Sequence, residues 1–240
     1  MKLKNKQKVL VILFIVASFM FVLSIQKSIA QPTGVIISEN ITETSGSTPP
    51  DDRTDAGGTI TTLIIDVLQP NPRWKAYIGN LTGVLSLDDA DGQSIFRWEL
   101  EAEDVTGTIF ISRANTLDWG SVDCPTPQEI ADEDSTLGFS SSAADSINRT
   151  FIDTHPSIFI GVAEHENCPA TSTYVNNAPQ VGTPDFPLVL LYESTNMIYA
   201  TPVNKDSQSF NSANNVDFQA IVPDQTVGTT TYYFYAEIGA

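Results

Sequence analysis

The sequence predicts an all-β protein, an antiparallel β-sandwich of immunoglobulin-like or jelly-roll-like type with one short helix. Three observations predict it. About ten runs of four to ten residues are rich in β-branched and aromatic side chains and are separated by Gly, Pro, Asn or Asp. A single stretch carries helix-start chemistry, and no internal repeat divides the chain. From Thr59 to Ala240 the chain is long enough for one sizeable core, so residues 59–240 are read as a single domain.

The N-terminus decides which residues belong to that domain. "MKLKNKQK" supplies Lys2, Lys4, Lys6 and Lys8, Val9 to Ile25 is an apolar run, and Ser28-Ile29-Ala30 offers small residues for cleavage. Residues 1–30 therefore read as a signal peptide cut after Ala30. The competing reading keeps the apolar run as an uncleaved anchor, although it falls short of the roughly 20 residues that span a bilayer comfortably. Both readings place the rest of the chain outside the cell, secreted or at the cell surface. Residues 31–58 are rich in Ser, Thr, Pro, Gly and Asp and read as a flexible linker, interrupted by one small apolar island, "GVIIS" at 34–38.

The expected strands follow in order: "TITTLIIDVL" (59–68), "RWKAYI" (73–78), "GVLSL" (83–87), "SIFRWEL" (94–100), "TGTIFIS" (106–112), "SIFIGVA" (157–163), "PLVLLYE" (187–193), "MIYATPV" (197–203), "VDFQAIV" (216–222) and "TYYFYAEI" (231–238). In the last of these Tyr232, Phe234, Ala236 and Ile238 share one face, while Tyr233, Tyr235 and Glu237 share the other. The apolar parity changes between Ile78 and Leu81, which predicts a bulge or bend at Gly79-Asn80. The helix is "TPQEIADEDSTL", with Thr126 as N-cap, Pro127 in the first turn and Glu129 completing a capping box.

Cys124 and Cys168 are the only cysteines, and both lie in the exported part. An even pair in an oxidising compartment reads as one disulfide, which here joins the loop before the helix to a loop after "SIFIGVA". A metal site using both thiols with His165, and His155 as a fourth candidate, is the weaker alternative, because "HENC" is the only ligand-like spacing and no CxxC occurs.

The closest approach to a chemical motif is "GVLSLDDADGQSIFRWEL" (83–100), which sets Asp88, Asp89 and Asp91 before Gly92. With Gly92 as the sixth position of an EF-hand loop, Leu87 and Trp98 occupy positions one and twelve, where acidic ligands are required. The segment therefore reads as a hairpin turn, with Asp89 first and Gly92 last in a type I turn, and Leu85 and Leu87 facing Phe96, Trp98 and Leu100. A calcium contact of another kind through Asp88, Asp89 or Asp91 is the minor alternative. Glu99, Glu101 and Glu103 alternate with apolar residues like the wet side of a strand. No GxSxG, P-loop, HExxH or GxGxxG occurs, and His155 and His165 are the only histidines, so no catalytic residue and no cofactor are assigned.

The whole chain carries a net charge of −17. Loss of residues 1–30 removes five lysines and no acid, leaving 7 basic against 29 acidic residues and a net charge of −22. Such a chain repels nucleic acid and anionic lipid, so no nucleic-acid partner is expected and membrane contact only through an uncleaved N-terminal segment. Asn40, Asn80 and Asn148 head N-x-Ser/Thr sequons, which permit glycans on an exported chain.

Several segments together, "RWKAYIGNLTGVLSLDDADGQSIFRW", "LDWGSVDC", "PLVLLYE", "IYATPV", "DFQAIVP" and "TYYFYAEI", resemble a family of secreted archaeal cell-surface proteins that combine a signal peptide with a β-rich domain. The resemblance covers most of residues 59–239 and implies an archaeal exterior and a β-sandwich, with no site to carry over. The expected function is a cell-surface structural, adhesive or binding module without catalytic activity, whose partner is a protein or a glycan. Two alternatives remain: a secreted hydrolase acting on glycans through Glu99 or Glu101, and a filament subunit in which "GVIIS" completes a neighbour's sheet.

Overall fold

The seven-stranded antiparallel sheet at the centre of the molecule is built around middle strands that are apolar on both faces. The computed structural model describes residues 31–44, 46, 50, 52–65, 67, 69–99, 105–225 and 227–239. The expected signal peptide and Leu100, Glu101 and Glu103 lie outside the described residues, as does the side chain of Glu99. The first strands are β1 (Thr33–Gly34), β2 (Trp74–Gly79), β3 (Val84–Asp88), β4 (Ser94–Glu99) and β5 (Thr106–Ser112). Helices α1 (Pro127–Thr136) and α2 (Ile147–Thr150) come next. They are followed by β6 (Asp153–Ile160), β7 (Ala163–Ser172), β8 (Pro187–Glu193) and β9 (Asn196–Pro202), then by β10 (Ser207–Gln208), β11 (Asn215–Val216), β12 (Phe218–Pro223) and β13 (Tyr233–Gly239).

The large sheet has the order β1-β13-β5-β9-β8-β7-β6, and β12-β2, β3-β4 and β10-β11 form separate two-stranded ribbons. Cross-strand register sorts the side chains into two layers. Tyr235, Phe110, Ala200, Val189 and Ala170 stand opposite one another across five strands and point to one face. Phe234, Ile111, Tyr199 and Leu190 form the adjacent row on the other face. The second row packs under Ile130 of α1, Leu137 at its C-cap, Ile147 of α2 and the β2–β12 ribbon through Ala220, Val222, Trp74 and Tyr77. The first row packs under the 117–124 loop, where the Trp119 ring lies 5.1 Å from Phe110 and 5.3 Å from Tyr235. Ribbon and helices on one face make this an all-β antiparallel sandwich, as the sequence predicts.

The sheet curls until its ends meet. Gly161, in the turn after β6, donates its N–H to both carboxylate oxygens of Glu237 on β13, at 3.0 and 2.8 Å, although four strands separate β6 from β13 in the ladder. Gly107 makes the close approach at the start of β5 possible, since its φ of +148° suits glycine and a Cβ there would sit 2.0 Å from the Glu237 carbonyl oxygen.

Helix α1 forms where its capping box predicts, with the Thr126 hydroxyl accepting from the Glu129 N–H and the Glu129 carboxylate accepting from the Thr126 N–H. The expected bend at Gly79-Asn80 is the end of β2. Three expectations need correction. "SIFIGVA" is not one strand, because Gly161 takes φ +56° and turns the chain into β7. Cys168 consequently lies within β7 and not in a loop. "TITTLIIDVL" forms no strand: residues 59–65 and 67 run exposed and join no ladder among the described residues. Its β-propensity is high, but a strand exists only where another edge receives its N–H and C=O groups. Within the expected linker, Thr33 and Gly34 pair with Ala236 and Tyr235, so the start of "GVIIS" sits on its own chain's sheet edge.

Candidate functional site

Two surfaces carry features beyond packing. The first is a bowl of about 550 Å³ at the end of the curled sheet, lined among others by His155, Phe159, Asp185, Asn204 and Glu237. His155 and Phe159 come from β6 and the other three from separate parts of the chain, and the curl brings them together. Burial pushes the Glu237 carboxyl above its ordinary range, partly offset by the Gly161 N–H. Burial pushes His155 down, partly offset by a backbone hydrogen bond with Ser157. Both Glu237 oxygens already accept from Gly161, so this carboxylate acts as a clamp holding the two ends of the sheet.

That clamp has a pH signature. A carboxyl raised in the folded state binds its proton more tightly there than in the unfolded chain, so its contribution is fully present below the unfolded value and is lost as pH rises through the folded one. Glu237→Gln keeps an acceptor for Gly161 and removes the titration. Its stability relative to the parent is therefore expected to rise as pH climbs from the ordinary carboxyl value of about 4.3 through the raised folded one. Urea unfolding at several pH values checks this, and parallel curves for the two proteins would refute it.

The second surface lies within residues 36–98. In the β3–β4 hairpin Leu85 stands opposite Trp98 and Leu87 opposite Phe96, so four apolar side chains share one face. Leu87, Phe96 and Trp98 are 55, 56 and 49% exposed, and the Phe96 and Trp98 rings meet edge to face at 4.9 Å. Upstream, Ile60, Leu63, Ile64, Ile65 and Val67 are exposed as well. Nothing in the described fold covers them.

Of the residues singled out by sequence, Asp89 serves the turn. Its carboxylate accepts from the N–H groups of Asp91 and Gln93 at 3.0 and 2.8 Å, and its carbonyl accepts from Gly92, whose φ is +77°. Asp88 accepts from the Ser86 hydroxyl, and its carboxyl is lowered by hydrogen bonds from Ser94 and Ser86. Among the described residues no group of three or more His, Cys, Asp or Glu side chains is placed to hold a metal. Asn40, Asn80 and Asn148 are all exposed. Cys124 and Cys168 form a disulfide with Cα atoms 5.0 Å apart. Their surroundings include His165, whose Nδ1 lies 3.7 Å from Asp123. No helix among the described residues is long and apolar enough to cross a membrane. The bowl was not legible in sequence, because its residues come from five separate segments with no local motif; the uncovered hairpin face was, through its alternation. No protein-family model, curated protein or solved structure matches the chain, so its own geometry is what supports a functional reading.

Proposed function

We propose that this protein is an exported, non-catalytic structural subunit of the cell surface that associates through its N-terminal third with further copies of itself. One observation carries the reading. Large exposed apolar side chains crowd residues 36–98, from Ile36 (94%) through Ile60 (99%) to Ile95 (82%), whereas residues 105–239 enclose well-packed clusters on both faces of the sheet. Within that stretch Leu85, Leu87, Phe96 and Trp98 share one face, and contiguous exposed apolar faces ordinarily mark contact surfaces. Burying four such side chains against a partner contributes roughly 6–12 kcal/mol before ordering costs. The leader-like N-terminus, the disulfide and the acidic composition support an extracellular setting, and the exposed sequons suit a glycoprotein. The bowl supports a glycan contact better than glycan hydrolysis, because Glu237 is already engaged by Gly161.

Sizing and electron microscopy of the protein recovered from cells expressing all 240 residues test the reading. Oligomers or filaments whose population grows with concentration are expected. A monodisperse monomer at every concentration would sink it.

A further inference from the structure

We infer, resting on the self-association proposed above, that residues 59–68 of one copy add as a third strand to the β3–β4 hairpin of the next. The donor has the strand-forming composition described above and no ladder partner among the described residues. Leu63, Ile65 and Val67 fall on one of its sides, 53, 74 and 80% exposed, and Ile60 and Ile64 on the other. The acceptor lacks what the donor supplies. Among the described residues β3 and β4 pair only with each other, so both outer edges present open backbone groups there, and a two-stranded ribbon with an uncovered apolar face is marginal in water. A third strand would satisfy one edge and set Leu63, Ile65 and Val67 beside Leu85, Leu87, Phe96 and Trp98, extending one apolar face across three strands.

Connectivity points to a second copy as the source. The donor enters β2 at its Trp74 end through residues 69–73, while the hairpin leaves from the Gly79 end. Strand β2 spans roughly 17 Å between those ends. Within one chain the donor would have to double back along β2, and only its first half would reach the hairpin. The hairpin of another copy imposes no such limit. Each copy then gives a strand at one end and receives one at the other, a heterologous contact that propagates as a filament unless it closes into a ring. The segment "GVIIS" is not the donor in this scheme, because Thr33 and Gly34 already pair with β13 of their own chain.

A photoreactive benzoylphenylalanine in place of Leu63, in full-length protein mixed from ¹⁴N- and ¹⁵N-labelled cells, tests the pairing. The expected cross-links join a peptide from 59–68 to one from 84–99 and carry both isotopes. The variant Leu63→Lys with Ile65→Lys is expected to cut the oligomer fraction by about tenfold at fixed concentration. At a concentration low enough for both proteins to be monomeric its melting temperature should match the parent's, because both side chains are exposed in the single chain. Cross-links of a single isotope would mean that the segment folds back on its own chain. Oligomers that persist in the double variant would mean that copies associate elsewhere. Either result overturns the strand assignment while leaving self-association standing, and a parent protein that never leaves the monomer removes both.

Discussion

Asp217→Ala is expected to destabilise the fold by about 3–5 kcal/mol, because it breaks a buried ion pair from one side. Asp217 is 1% exposed at the start of β12. Its Oδ2 accepts from Lys205 Nζ at 2.6 Å and from the Leu81 N–H at 2.7 Å, and its Oδ1 accepts from the Asp206 N–H at 3.2 Å. Lys205 also donates to the Leu81 carbonyl at 3.0 Å, so one buried ion pair fastens the chain between β2 and β3 to the β9–β12 side of the molecule. Removing the carboxylate leaves a mostly buried ammonium with one carbonyl partner and orphans two backbone N–H groups. Each orphan costs about 1–3 kcal/mol. Lys205→Met added to Asp217→Ala should therefore recover only the part due to the unpaired cation. Urea unfolding of the two single variants and the double variant measures the coupling. A loss under about 1 kcal/mol for Asp217→Ala would show that water replaces the carboxylate and that the pair contributes little.

The legibility of this sequence followed the physics of each segment. "TGTIFIS", "PLVLLYE" and "MIYATPV" read correctly because they are buried on both faces: Phe110, Ile111, Leu190, Leu191 and Ile198 are all fully enclosed, and a continuous apolar run is what such a position demands. The α1 start was legible because a capping box is a local contact, complete within four residues. Strand β7, "AEHENCPATS", was not legible. Only Cys168 and Ala170 along it are buried, and its strand conformation comes from pairing with β6 along its length. The reverse failure at 59–68 has the same root, since composition reports what a segment would do beside an edge and not whether the chain supplies one. The bowl escaped because curvature, not sequence proximity, gathers His155, Asp185 and Glu237. No periodicity encodes the meeting of Gly161 with β13.

Replacing both cysteines, Cys124→Ala with Cys168→Ala, is expected to cost about 4 kcal/mol in the chain-entropy model for a loop of this length. The bridge spans a sequence separation of 44 and closes a loop that holds both helices, β6 and the first half of β7. Its position explains why it is needed there. Strand β7 pairs with β8 only over Ala170–Ser172 and Pro187–Val189, then diverges. The gap is taken by Asp123, whose backbone exchanges hydrogen bonds of 2.9 and 2.8 Å with Tyr192 of β8. Cys124 follows at once and crosses to Cys168, which is fully buried beneath Val122 and Trp119. The disulfide thus fastens the 117–124 loop over the first apolar row of the sheet, the face opposite α1 and α2. Alanine keeps position 168 apolar, so the measured loss should come mainly from the freed chain together with a small cavity. For a domain of this size the expected fall in melting temperature is roughly 8–16 °C. Melting the parent with and without reductant checks the same quantity without a mutation, and the reduced parent should fall with the double variant. A change below about 2 °C in both would show that the Asp123–Tyr192 bridge and the Trp119 contacts hold the loop unaided. A fall of the expected size would make the folded population depend on an oxidising compartment, which is the condition an exported chain meets after leaving the cell.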